Sequence, residues 1–231
     1  MPVLALSQLG SHLTGHYWLP LQSCARDYSA KAIEAWVVDA ESKQPMEGVN
    51  VVAHWLLEYG LEGGGATDIT TMETVTDKNG RFYFPAWGPK EIPDNLPSEA
   101  RLKDNDPELQ FFKSGYLGLE LQNDRPIRSM WGHGKSMRTS EWDGKKIQMK
   151  SFQGTALQEY GFHLPSFYYV EYGKNCEWKH IPRMIAAVSR EQKRFKEQKI
   201  IFSGLDFTDI ESLPNQDICG SAEKFFEEYL K

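Results

Sequence analysis

Long apolar runs are missing from this 231-residue chain. None reaches the roughly 20 residues that a helix needs to cross a bilayer. Basic charge is scarce as well. Lys and Arg total 26 against 32 Asp and Glu, a net charge of −6, whereas a dedicated nucleic-acid binder needs a concentrated basic surface for its phosphate contacts. The glycines are not spaced to cradle phosphate. Gly63-Gly64-Gly65 lacks both the GxGxxG pattern and a following Lys-Ser/Thr, so it reads as a flexible connection and excludes nucleotide binding. No GxSxG nucleophile elbow occurs. Cysteine is limited to three residues, and the chain is long enough to bury a core without disulfides.

What the chain does hold is aromatic: seven tryptophans, many beside Gly or Pro. Its regular segments are short and β-rich. Ile33–Asp39, Val49–Leu57, Thr70–Thr76, Arg81–Phe84, Leu109–Lys113, Tyr116–Leu121 and Lys146–Lys150 carry the β-branched, aromatic and alternating residues that suit a pleated surface. With no helix between them, they predict a mainly β fold, a seven-stranded antiparallel sandwich over residues 32–150. Two stretches rich in Pro, Gly and charge, Pro85–Pro107 and Asn123–Gly144, read as long surface loops. Residues 1–31 form a separate N-terminal segment with little pattern.

The stretch Thr76-Asp77-Lys78-Asn79-Gly80 admits a metal loop or a turn. A calcium loop needs further oxygen donors ending in a glutamate after the glycine, yet Arg81-Phe82-Tyr83-Phe84 follows. The ligand set fails, so no metal is expected. Asn79-Gly80 between Thr70–Thr76 and Arg81–Phe84 predicts the tip of a β-hairpin instead.

After Ser151 the pattern changes, and residues 151–231 predict a helical extension. Pro182 opens a helix with apolar Met184, Ile185 and Val188 on one stripe and charge from Arg190 onward. Ser221 is placed to cap a last short helix bearing Phe225, Phe226, Tyr229 and Leu230. Those stripes need a partner surface, and the sandwich is the nearest.

Three blocks resemble one family. AWVVDAESKQPMEGVNVVA, through Asp39, Pro45, Gly48 and Val49, is similar to the opening strand and turn of carboxypeptidase regulatory-like domains. TDKNGRFYF resembles their Thr-Asp-x-x-Gly-x-Phe step at Thr76, Asp77, Gly80, Phe82 and Phe84. FFKSGY resembles their Gly-Tyr step at Gly115 and Tyr116. The resemblance runs from Ile33 to Asn123 and implies a transthyretin-like (prealbumin-like) sandwich without a catalytic centre or cofactor.

Two enzyme classes share that general fold. Intradiol dioxygenases bind iron through two tyrosines and a His-x-His pair, but His54, His133, His163 and His180 have no such partner. Transthyretin-related hydrolases end in Tyr-Arg-Gly-Ser, and this chain ends otherwise. His12 and His16 stand four apart within the unpatterned N-terminus. A Cys176–His180 dyad lacks a third residue to orient the histidine. An uncharacterised hydrolase is left as the least favoured function.

The segment from Arg125 to Lys146 sets Arg128, Lys135 and Arg138 beside Trp131 and Trp142, with Trp87 just after the predicted hairpin. Basic groups beside tryptophan suit an anionic or sugar-like ligand. Packing of the same tryptophans on the sandwich edge is the favoured reading, because a loop of that length needs apolar anchors to be ordered.

Leu21-Gln22-Ser23-Cys24-Ala25 resembles a bacterial lipobox, in which Cys24 would be lipidated after cleavage of a signal ending at residue 23. Cys176 and Cys219 then remain as an even pair for a disulfide, which implies an oxidising compartment. Three reduced cysteines in the cytoplasm are the alternative. Together these readings favour a non-enzymatic binding or assembly module of the bacterial cell envelope, periplasmic, meeting the membrane only through a lipid anchor. An envelope protein or polysaccharide would be its partner. The alternative is a glycan- or peptidoglycan-associated binder using the loop tryptophans.

Overall fold

The computed structural model describes residues 27–60, 65–92, 95–97, 99–123, 137–154, 164–165, 176–198 and 209–231. The fold is mainly β, with eleven strands in three sheets among those residues. They are β1 (Asp27–Ala30), β2 (Ile33–Asp39), β3 (Asn50–Tyr59), β4 (Gly65–Val75), β5 (Arg81–Phe84), β6 (Trp87–Glu91), β7 (Arg101–Leu102), β8 (Glu108–Phe112), β9 (Leu119–Leu121), β10 (Met137–Arg138) and β11 (Lys146–Met149). The large sheet runs β4-β3-β8-β9 with β7 also on β3, and the two three-stranded sheets run β10-β1-β6 and β11-β2-β5.

Two strand pairs depart from the all-antiparallel expectation. β11 lies parallel to β2, with Ile147 opposite Val37, and β10 lies parallel to β1, with Ser29 opposite Met137. Parallel neighbours need a long crossover, and more than a hundred residues of chain supply it here. The predicted loop at Pro85–Pro107 is also corrected, since it contains β6 and β7 and buries Trp87, Ala100, Leu102 and Asp106.

The hairpin expectation is corrected as well. β4 pairs with β3, whereas β5 pairs with β2, so the turn at Asp77–Gly80 passes the chain from one sheet to another. Asp77 closes it by accepting, through Oδ1, the amides of Asn79 at 2.8 Å and Arg81 at 3.0 Å. Gly80, at φ +72°, offers its carbonyl to the amide of Val37 at 2.7 Å. That bond to β2 replaces the ladder a hairpin would have formed between its own arms.

β3 separates two cores. Val51, Ala53, Trp55 and Leu57 face Ala35, Val37, Phe82, Phe84, Phe111 and Ile147. On its other face Val52, with Phe112 of β8, packs under the helical tail. Burial on both faces explains the near-continuous apolar sequence of β3. In the tail, helix α1 (Pro182–Glu197) buries Met184, Ile185, Val188 and Phe195. Helices α2 (Gln216–Cys219) and α3 (Ala222–Phe226) follow, and Ser221 caps α3 through the amide of Lys224. Trp178 lies against Phe225 and Phe226 and donates to the Pro214 carbonyl at 3.1 Å.

The start of α1 has no cap of its own, because Ile181 precedes Pro182. Glu73 of β4 takes that role. Its carboxylate accepts the amides of Arg183 at 3.0 Å and Met184 at 2.6 Å, filling the open donors of the first turn and opposing the helix dipole. Burial nevertheless pushes the Glu73 carboxyl above its ordinary range, with those two bonds acting the other way. A strand residue thereby fixes where the tail sits.

Candidate functional site

Of the residues named as ligand contacts, three are described, and each has a structural partner. Trp87 is 8% exposed and sets its ring edge-on to Trp55, with centroids 5.7 Å apart. The Lys90 ammonium lies over the same ring, 5.4 Å from its centroid. Trp142 is partly buried against the main core and donates through Nε1 to the Gln122 carbonyl at 3.2 Å. Arg138 is buried, and its guanidinium bonds the Leu102 carbonyl and faces Asp104 at 3.4 Å. All three therefore anchor the segment that carries them. Arg128, Trp131, Lys135 and Cys24 lie outside the described residues.

A polar group unforeseen in the sequence occupies the outer face of the large sheet. The β3–β4 register slips between Trp55 and Leu56, so that Trp55 faces Thr70 and Leu56 faces Asp68, with Ile69 skipped. The bulge turns Ile69 toward the main core and brings Asp68 beside His54, to whose Nε2 its carboxylate is bonded. His54 is only 4% exposed. In register with it on β8 stands Glu108, which accepts Gln110 at 3.2 Å and Gln122 at 3.1 Å. Burial, then the neighbouring Glu108 charge, raises the Glu120 carboxyl.

A histidine, an aspartate and a hydroxyl on facing strands invite comparison with a nucleophilic triad. Thr71 stands directly opposite His54, but its buried Oγ1 has no hydrogen-bond partner. The imidazole thus makes no bond to the hydroxyl it would have to deprotonate, and the contact that activates a nucleophile is not formed. Among the described residues, no group of three or more His, Cys, Asp or Glu side chains is arranged to hold a metal.

Next to His54, one turn organises an end of the molecule. Lys103 donates its amide to the Leu56 carbonyl at 2.9 Å, and the Leu56 amide returns to Oδ2 of Asp106. The Asp106 carbonyl accepts Nδ2 of Asn123, which also reaches the Thr139 carbonyl at 3.1 Å, while Oδ1 of Asn123 accepts the Glu141 amide at 2.9 Å. Asp106 and Asn123 thus join β3, the end of β9 and the segment after β10. Asp106 is 1% exposed, and its Oδ1 has no partner. Burial pushes its carboxyl up to about 7, against the Leu56 amide and the charges of His54, Lys103 and Arg138.

No protein-family model matches the chain. No curated protein matches it. Solved structures that align with parts of it include 3-chlorocatechol 1,2-dioxygenase from Rhodococcus opacus 1CP, at 15% identity and TM-score 0.33, over 58% of this chain and 64% of that one. Catechol 1,2-dioxygenase from Acinetobacter radioresistens aligns at 14% identity and TM-score 0.29, over 54% and 52%. An alternative pilotin from the type II secretion system of Vibrio cholerae aligns at 12% identity and TM-score 0.28, over 54% of this chain and 98% of the pilotin. The chain spans less than two thirds of either dioxygenase. Likenesses this low say nothing of activity or partners.

In the tail, Cys176 and Cys219 form a disulfide with their Cα atoms 5.7 Å apart, across 43 positions of sequence. It ties the 3-10 turn at Glu177–His180 to the end of α2. No helix among the described residues is long and apolar enough to cross a membrane.

Proposed function

We propose that this chain is a non-enzymatic binding or assembly module of the bacterial cell envelope, built on a transthyretin-like sandwich of the carboxypeptidase regulatory-like type. The observation that carries the reading is the Cys176–Cys219 disulfide, because such bonds persist in oxidising compartments and are rare in the cytosol. The three sequence blocks behind the family resemblance also meet in space. Thr76 bonds Met46 and Val49 of the first block, the Gly80 carbonyl bonds Val37, and Tyr116 of the third block lies close enough to Asp39 of the first for each to shift the other's titration. Such an interlock is what a shared domain scaffold requires. Trp87 and Trp142 are each accounted for by packing and bonding within the fold.

The test is fractionation of the native producing cells, with non-reducing peptide mapping, fatty-acid labelling and crosslinking before lysis. The module reading expects a linked Cys176–Cys219 peptide in the envelope fraction, lipid on Cys24, and a crosslinked envelope component. Recovery from the cytoplasm with both thiols free would sink the compartment. Turnover of a substrate, lost on changing one polar residue of a chain that still folds, would replace the module with an enzyme.

A further inference from the structure

The turn between β7 and β8 is bonded to Leu56 of β3, to Gln122 and Asn123 after β9, and to Arg138 of β10, and its bond to the Leu56 amide is made by a buried acid. Lys103 and Asp106 pair with both main-chain groups of Leu56 just past the point where the β3–β4 register slips. Asp106 is closed on itself by its amide, which donates to the Lys103 carbonyl at 3.2 Å. Its Oδ2 has the Leu56 amide, whereas its Oδ1 is buried and has nothing. A carboxylate needs several donors to replace its lost water, while a neutral acid is far less costly to bury.

The charged groups around it do not supply those donors. On β3, His54 is bonded to Asp68 of β4. On β10, Arg138 is directed at the Leu102 carbonyl and Asp104. Within the turn, the Lys103 ammonium acts on Asp106 through its charge alone. On β8, Glu108 stands in register with His54 and adds negative charge to the same face. The positive groups therefore soften ionisation without satisfying Oδ1.

We propose that Asp106 is a proton-operated catch: protonated, it keeps the Lys103–Asp106 turn seated on Leu56 and Asn123; ionised, it draws water to Oδ1 and lets that turn lift from β3. Only the local turn and its bonds to Leu56 and Asn123 are moved, because β3 remains paired along its length to β4 and over Asn50–His54 to β8. The consequence is a joint between β3, β9 and the segment after β10 that loosens as acidity falls.

Amide hydrogen exchange of the full chain, resolved at Leu56, Asp106 and Glu141 and corrected for intrinsic rate, tests this between pH 5 and 8.5. Protection should fall about tenfold per pH unit up to about pH 7 and then level off, because the closed turn holds a proton that the open turn has lost. In Asp106→Asn it should be flat. Flat protection in the native chain overturns the catch, as does the same fall in Asp106→Asn. A fall that persists in Asp106→Asn and vanishes in His54→Gln would make the histidine the sensor and also overturn it. Should Asp106→Asn not fold, a carbon-13 titration of the native Asp106 carboxyl decides: a midpoint near 7 supports the catch, and one below 5 refutes it.

Discussion

The hydroxyl of Thr76 donates to the Met46 carbonyl at 2.6 Å while accepting the Val49 amide at 2.9 Å. One side chain thus closes the turn before β3 from a position after β4. Thr76→Val keeps the shape and orphans both buried main-chain groups, each worth about 1 to 3 kcal/mol when left unpaired. Denaturant titration should show a loss of roughly 2 kcal/mol or more, with Thr76→Ser close to native. Equal losses in Val and Ser variants would mean that packing, not bonding, is what Thr76 supplies.

Gly80 permits no side chain. Its φ is +72°, and an added Cβ would meet the Val37 carbonyl oxygen at 2.3 Å and the Met46 amide nitrogen at 3.0 Å. Gly80→Val should therefore cost more than the roughly 1 to 3 kcal/mol of a strained backbone alone, while exposed Lys78→Ala stays within about 0.5 kcal/mol. Similar thermal midpoints for the two variants would contradict the tight approach to β2.

The disulfide joins segments 43 positions apart, so by restricting the unfolded chain it should contribute roughly 3 to 4 kcal/mol. Reducing agent should lower the unfolding midpoint of the native chain and leave a Cys176→Ser, Cys219→Ser double variant unmoved. An unchanged native midpoint under reduction would show that Trp178 and its phenylalanine neighbours hold the tail without the covalent link.

Asp106 also sets a slope in global stability. Its carboxyl is pushed up to about 7 in the fold and returns to the ordinary carboxylate value, about 3.9, on unfolding. A raised folded value favours the fold at low pH. The contribution is complete below about pH 4, falls as pH rises toward 7, and is constant above, with a ceiling on the order of 4 kcal/mol. Asp106→Asn should flatten that part of the stability–pH curve. A native curve that rises through the same window would show that other carboxyls outweigh this one.

Much of the β framework was legible because burial forces alternation. β2, β5 and β11 carry their main-core residues at every second position, and α1 carries its apolar stripe behind Pro182. β1 and β6 were not legible: Asp27–Ala30 is four residues long, and Trp87–Glu91 buries only Trp87. Pro89 and the flanking glycine gave that strand the look of a loop. Parallel pairing of β11 to β2 leaves no local mark, since its register is set by a segment more than a hundred residues away. The His54–Asp68 contact was hidden for a different reason, as strict alternation would have put Ile69 beside His54, and only the bulge substitutes Asp68. Asp106 is a buried acid in a stretch of Asp, Asn and Pro that composition alone assigns to the surface.

One outer strand of each small sheet comes late in the chain. β1 and β2 receive β6 and β5 early, but β10 and β11 arrive only at Met137–Arg138 and Lys146–Met149. During synthesis from the N-terminus, Asp27–Ala30 therefore waits for Arg138 and Ile33–Asp39 for Met149 before the second side of its backbone is paired. Non-local pairing of this kind folds slowly, and open edges are templates for the wrong neighbour. A shortened version ending before Met137 would carry both edges permanently, whereas one ending just after Ser151 would keep β10 and β11 and leave Val52 and Phe112 without the helices that cover them.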